Sequence, residues 1–262
     1  MTHEASKRNV LPPSPTHFVT SHARSVVIVS YLANTKLKRT PIDLCGLKTQ
    51  APFTSWSWNL LGLTFAHNGL LTLYIDHCAK NGTLNNIQDS YLLTLSLRAS
   101  IILFETAAPT TMLIAAVVRY GIWEQAMKNA GSHNLKKTTI ILQHNANVVM
   151  ALTEVGLLGG LPVRFSDTAV AALWGVIYVI WAWAMRFSWL PSGDPQFLYF
   201  FLDTTLPGYT PSICLLVLIT ILLLFYTLFV FVDDIMILFG GGPAIHTVVI
   251  LATSSIVCRF RD

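Results

Sequence analysis

Residues 138–160 read TTIILQHNANVVMALTEVGLLGG, and the reading of this stretch decides the fold. It is long and apolar enough to cross a bilayer, yet it carries Gln143, His144, Asn145, Asn147 and Glu154 where an ordinary span carries Leu and Val. At about 100° per residue, His144, Asn147, Ala151 and Glu154 fall within roughly 80° of arc, while Val149 and Leu152 face away. Hydrocarbon solvates such a stripe badly, so it has to turn toward other helices or a water-filled cavity. The segment is expected to be one helix of a bundle.

The rest of the chain agrees. Of 262 residues, 53% are hydrophobic and 11% charged, the mean hydropathy is positive, and several runs approach 20 apolar residues, too many for a soluble domain. The expected fold is all-α: a polytopic transmembrane helical bundle over residues 53–262, preceded by a basic, largely disordered cytoplasmic arm over 1–52. Spans are expected at 53–74, 99–120, 138–160, 168–185 and 212–232, with 243–258 a weaker sixth, so the count stands at five or six. With the arm and the loop carrying Lys128, Lys136 and Lys137 on the cytoplasmic side, Arg259 and Arg261 mildly favour six. The first 25 residues have no apolar core that would serve as a cleavable signal peptide, so insertion is expected to begin with a retained span. The protein is expected to be integral to the endoplasmic reticulum or plasma membrane. Its partners are then membrane lipids, and the net charge of +4 is no argument for nucleic acid. No part of the sequence identifies a protein partner. Cys45, Cys78, Cys214 and Cys258 are scattered without ligand-like spacing, and no cofactor motif is present, so neither a metal nor a cofactor is expected. Asn81-Gly82-Thr83 is an N-glycosylation sequon in the first loop.

Each span has its own signature. In the first, Trp56 and Trp58 read as interfacial anchors, and Ser55, Asn59, Gly62, Ala66 and Gly69 recur at helical spacing as a small-and-polar stripe expected to face the bundle. Thr54 lies about 100° away. In the second, Glu105 shares a face with Pro109, Met112 and Ala116, and Pro109 is expected to kink the helix. The fourth is rich in aromatic residues, which suit packing or an interfacial belt. The fifth reads as lipid-facing, stopped at the surface by Asp233 and Asp234. His67, His77 and His246 are isolated and read as packing or interface residues.

Three patterns carry a resemblance: HNANVVMALTE, with His144, Asn147 and an acid ten residues after the His; YFFLD at 199–203; and FTSWSWNLLGLTF at 53–65. Over residues 53–232 the chain resembles the androgen-induced-protein family and, more distantly, the rolling-stone-like membrane proteins, to which LPVR at 161–164 is closer. The androgen-induced branch implies a membrane-embedded Thr and His that together hydrolyse fatty-acid esters of hydroxy fatty acids. The His column falls on His144. The Thr column falls on Ser55, a Ser in place of the family's Thr, with Thr54 adjacent. Rolling-stone-like proteins are associated with cell fusion and have no established reaction.

The chemistry asked of such a pair is ordinary: a hydroxyl is a poor nucleophile until a base takes its proton, and His is the usual base. Ser55 and His144 are expected to enter the membrane from the same side, with His144 about 9 Å deep. Asn59 and Asn145 are candidate oxyanion donors, and Asn147 or Asn59 could orient the imidazole. Glu154, about 15 Å further along the helix, is too far to complete a triad. It and Glu105 are expected to be structural intramembrane acids or to line a pathway. Three readings follow: a lipid-ester hydrolase using Ser55 or Thr54 with His144, a non-catalytic scaffold or fusion-related protein, and a proton-coupled transporter using Glu105, Glu154 and His144.

Overall fold

The computed structural model describes residues 25–33, 36–44, 46–83, 90–123, 137–158, 161–189, 197–199, 202–204, 206–240 and 242–259. The chain is a helical bundle. Among the described residues its six long helices are α1 (Phe53–Lys80), α2 (Tyr91–Ala116), α3 (Thr138–Leu157), α4 (Thr168–Ala184), α5 (Thr210–Phe239) and α6 (Pro243–Val257). A π-helical turn, Val117–Ile122, extends α2, and Arg186–Trp189 adds a single turn after α4. Within the basic arm, β1 (Ser25–Ala33) and β2 (Lys36–Leu44) form an antiparallel hairpin in the register Ser25↔Leu44 to Ala33↔Lys36, so this part of the arm carries regular structure. A 3-10 turn, Gly46–Gln50, joins the hairpin to α1.

Among the described residues, three helical segments are long and apolar enough to cross a membrane: Tyr91–Gly121, Phe165–Ala184 and Thr210–Leu238. They mark the chain as a membrane protein. Helices α1 and α3 are as long, but His, Asn, Gln and acidic residues dilute their apolar character. Helix α6, 15 residues, reaches about 22 Å and is short for a hydrocarbon core of about 30 Å.

Helix α2 is the hub. The most apolar window of its segment is 78% buried, against 17% for those containing α4 and α5. Helices α1, α3, α4 and α5 all pack on it. Phe104, Ala107, Ala108, Met112, Ala115 and Ala116 of α2 form the core with Leu60 and Leu61 of α1, Val148, Ala151 and Leu152 of α3, and Tyr226 and Phe229 of α5. Small side chains let the neighbours approach this helix closely, which is how membrane helices gain packing energy without a hydrophobic driving force. Pro109 sits inside α2, and the Thr106 and Thr110 hydroxyls donate back to the Ile102 and Thr106 carbonyls, keeping this buried backbone solvated by its own side chains.

Two expectations about faces are corrected. The buried face of α1 is Ser57, Leu60, Leu61 and Thr64, whereas Asn59, Gly62, Ala66 and Gly69 are exposed and a Cβ built on Gly62 or Gly69 meets nothing within 4 Å. The small-residue stripe therefore points outward. Lipid tolerates small residues as well as large ones, and the larger Leu60 and Leu61 fill the space against α2. Similarly, Asp233 does not end α5 at a surface. The helix continues to Phe239, closing on Gly240 at φ 47°, and Asp233 is buried, its carboxylate accepting the Val163 N–H at 3.0 Å. Trp56 lies half-buried among the rings of α4: Trp181 at 4.8 Å, Trp174 at 5.2 Å and Tyr178 at 5.5 Å between centroids. Its indole donates to the Gln50 carbonyl, and the Tyr178 hydroxyl donates to that of Ala51, so α4 grips the entry of α1.

Candidate functional site

The proposed nucleophile and base are not hydrogen-bonded to one another. Ser55 lies in the first turn of α1, where the chain doubles back from the 3-10 turn, and its hydroxyl donates to the Thr49 carbonyl at 2.7 Å. Thr54 is half-buried beside it. Asn59, one turn on, donates to the Gln50 side-chain carbonyl at 2.7 Å. This polar edge ties α1 to the turn that precedes it. His144 is half-buried in the second turn of α3, and its Nδ1 is shielded from solvent without a hydrogen-bond partner.

The three Asn candidates divide in the same way. Asn145 is a clamp on the chain beyond α6: its Oδ1 accepts the Arg259 N–H at 3.0 Å while its Nδ2 donates to the Arg259 carbonyl at 2.8 Å and to Ile141 at 2.9 Å. An amide used in this way has no N–H left for an oxyanion. Asn147 is fully buried, its Oδ1 accepts the Val148 N–H at 2.9 Å, and its Nδ2 has no partner. The groove beside this region, about 210 Å³, is lined by Gln50, Trp56, Asn59, Leu60, Leu63 and Trp174. It is smaller than the usual range for ligand pockets, and neither Ser55 nor His144 lines it.

The most developed polar cluster is one that the sequence only half announced. Glu105, with zero exposure, accepts the Arg164 backbone N–H at 2.7 Å and the Arg164 Nε–H at 3.2 Å through Oε1. Arg164 is also paired with Asp167. The Tyr226 hydroxyl donates to the Arg164 carbonyl at 2.8 Å, and Asp233 takes the Val163 N–H. One carboxylate from α2, one from α5 and a tyrosine thus pin the connection between α3 and α4 by its backbone. The hydrogen bond from Arg164 to Glu105 holds the guanidinium above its ordinary value. Glu105 was legible as an acid that must be paired in a membrane bundle, but Arg164, 59 residues away, read as a loop residue. Glu154 is half-buried near the end of α3 and lies outside this cluster.

Among the described residues no group of three His, Cys, Asp or Glu side chains is arranged to hold a metal ion. The sequon residue Asn81 is exposed at the end of α1, where its amide meets His77 Nε2 at 3.0 Å.

No family model, curated protein or solved structure matches this chain.

Proposed function

We propose that the protein is a non-catalytic, multi-pass membrane scaffold. One observation carries this reading: Ser55, the hydroxyl a hydrolase would use as nucleophile, and Asn145, a candidate oxyanion donor, are committed to holding the chain together. The Ser55 hydroxyl is spent on Thr49, and one N–H of the Asn59 amide is given to Gln50. The Asn145 amide is spent on Arg259. Serine catalysis needs the hydroxyl within reach of its base and an unengaged donor for the oxyanion. Of the acids a proton-coupled transporter would use, Glu105 is enclosed and serves Arg164.

The proposal includes six crossings with the N-terminus in the cytoplasm, in the endoplasmic reticulum or plasma membrane. Support comes from the far end of α6, where Arg119 donates to the Ser255 and Cys258 carbonyls and Asn145 clamps Arg259. This brings Arg259 beside the start of α3, next to Lys136 and Lys137 in sequence, as the positive-inside rule favours. A serine-directed activity probe on the purified protein tests the central claim. No labelling at Ser55 or Thr54 is expected. Covalent labelling there, abolished in both Ser55→Ala and His144→Ala, would reinstate hydrolysis of a lipid ester of the fatty-acid ester of hydroxy fatty acid type.

A further inference from the structure

His246 stands in the first turns of α6, half-buried, and makes two hydrogen bonds, both to backbone carbonyls. Its Nδ1 is 2.5 Å from the Gly156 carbonyl oxygen and its Nε2 is 3.1 Å from that of Met236. A carbonyl oxygen can only accept. A neutral imidazole carries one N–H, so either tautomer leaves a bare ring nitrogen facing a carbonyl lone pair. Only the doubly protonated imidazolium supplies a donor to each.

The two acceptors are not arbitrary. Gly156 is in the last turn of α3 and Met236 in the last turn of α5, so both carbonyls belong to the four that each helix leaves unbonded at its C-terminus. Those ends carry the negative pole of the helix dipole and favour a cation. The N-terminus of α6 itself opposes one, but it is a single positive pole against two negative ones. Close approach makes the contact possible: a Cβ on Gly156 would lie 2.9 Å from Met236 Sδ and 3.0 Å from Ile250 Cδ1, so a residue without a side chain brings α3 against α5 and α6 at this level.

We propose that His246 is a proton-binding site that staples α6 to the ends of α3 and α5, complete in acid and weakened as the pH rises. The charged and titratable groups on the elements packed against α6 are His144 and Glu154 on α3, Cys214, Tyr226, Asp233 and Asp234 on α5, Tyr91, Arg98 and Glu105 on α2, and Arg119 and Tyr120 on the π-helical turn after it. Asp233 is taken by Val163, Glu105 by Arg164 and Arg119 by the other end of α6. Helix α6 carries no other ionisable side chain. The sign follows from the acceptors: the doubly protonated ring completes two bonds, and one of them is lost when the imidazole gives up a proton. The proposal is independent of whether the protein is a scaffold or a hydrolase.

Two measurements on the full chain in detergent test it. In a nitrogen-15 spectrum of histidine-labelled protein at about pH 6, the resonances that disappear in His246→Gln are expected to report both ring nitrogens protonated. A neutral tautomer there would overturn the proposal. Hydrogen exchange over residues 243–250 is then compared with His246→Gln at each pH, so that the intrinsic pH dependence of exchange cancels. Relative protection is expected to fall about tenfold between about pH 5.5 and 8, the loss of one charge-assisted bond. A ratio unchanged with pH would also overturn it. Should His246→Gln fail to fold, His246→Asn supplies the assignment and the wild-type nitrogen-15 titration alone decides.

Discussion

At the scale of single residues, stability concentrates where buried polar atoms find partners along the backbone. Removing the Glu105 carboxylate leaves the Arg164 backbone and side-chain donors without an acceptor, so Glu105→Ala is expected to lose about 3 kcal/mol. Arg164→Ala should lose only about 1 kcal/mol, because its side chain is 47% exposed and its backbone N–H keeps Glu105 as acceptor. Chemical unfolding in detergent micelles checks the order; equal losses would contradict it. The asymmetry shows what was legible. An acid in an apolar run announces that it must be paired, and Glu105 was read so. Nothing local names the partner, which depends on a chain reversal 59 residues downstream. For the same reason Asp233 read as a stop signal and Asn145 as an oxyanion donor: residue type set their polarity, and tertiary placement set their use.

Among elements, the helices themselves were readable, because long apolar runs bounded by Pro and Gly leave little choice. The start of α1 at Phe53, of α3 at Thr138, of α4 at Thr168 and of α6 at Pro243 fall where the sequence reading puts them. The rotation of α1 about its axis was not. In water the apolar side of a helix is the buried side, but in lipid both sides are apolar, so periodicity gives two faces without saying which is inside. Two substitutions separate the faces. Gly62→Ala meets open space on an α-helix and is expected to stabilise by about 0.5–1 kcal/mol, through backbone entropy alone. Leu61→Ala, in the core, should destabilise by about 2–4 kcal/mol. A loss of stability in Gly62→Ala would return the small-residue stripe to the interior.

For the molecule as a whole, the decisive question is which face of the membrane holds each terminus. Helix α6 runs from the ends of α3 and α5 to the start of α3, held at one extremity by His246 and at the other by Arg119, Tyr120 and Asn145. Epitope tags at the two termini are therefore expected on one side, both accessible in selectively permeabilised cells from the cytoplasm. Tags on opposite sides would reduce the crossings to five. The separation between Glu105 and Arg164 also has a consequence for how the molecule is made. At about 5–20 residues per second, a ribosome needs about 3–12 seconds to add the 59 residues between them. During that interval the second helix has left the tunnel while the residue that neutralises its acid has not yet been synthesised. Truncated chains ending before residue 164 are accordingly expected to stay bound to the insertion machinery, and chains extended past Asp167 to release. Site-specific crosslinking from α2 to that machinery, on nascent chains of stepped length, would locate the release point.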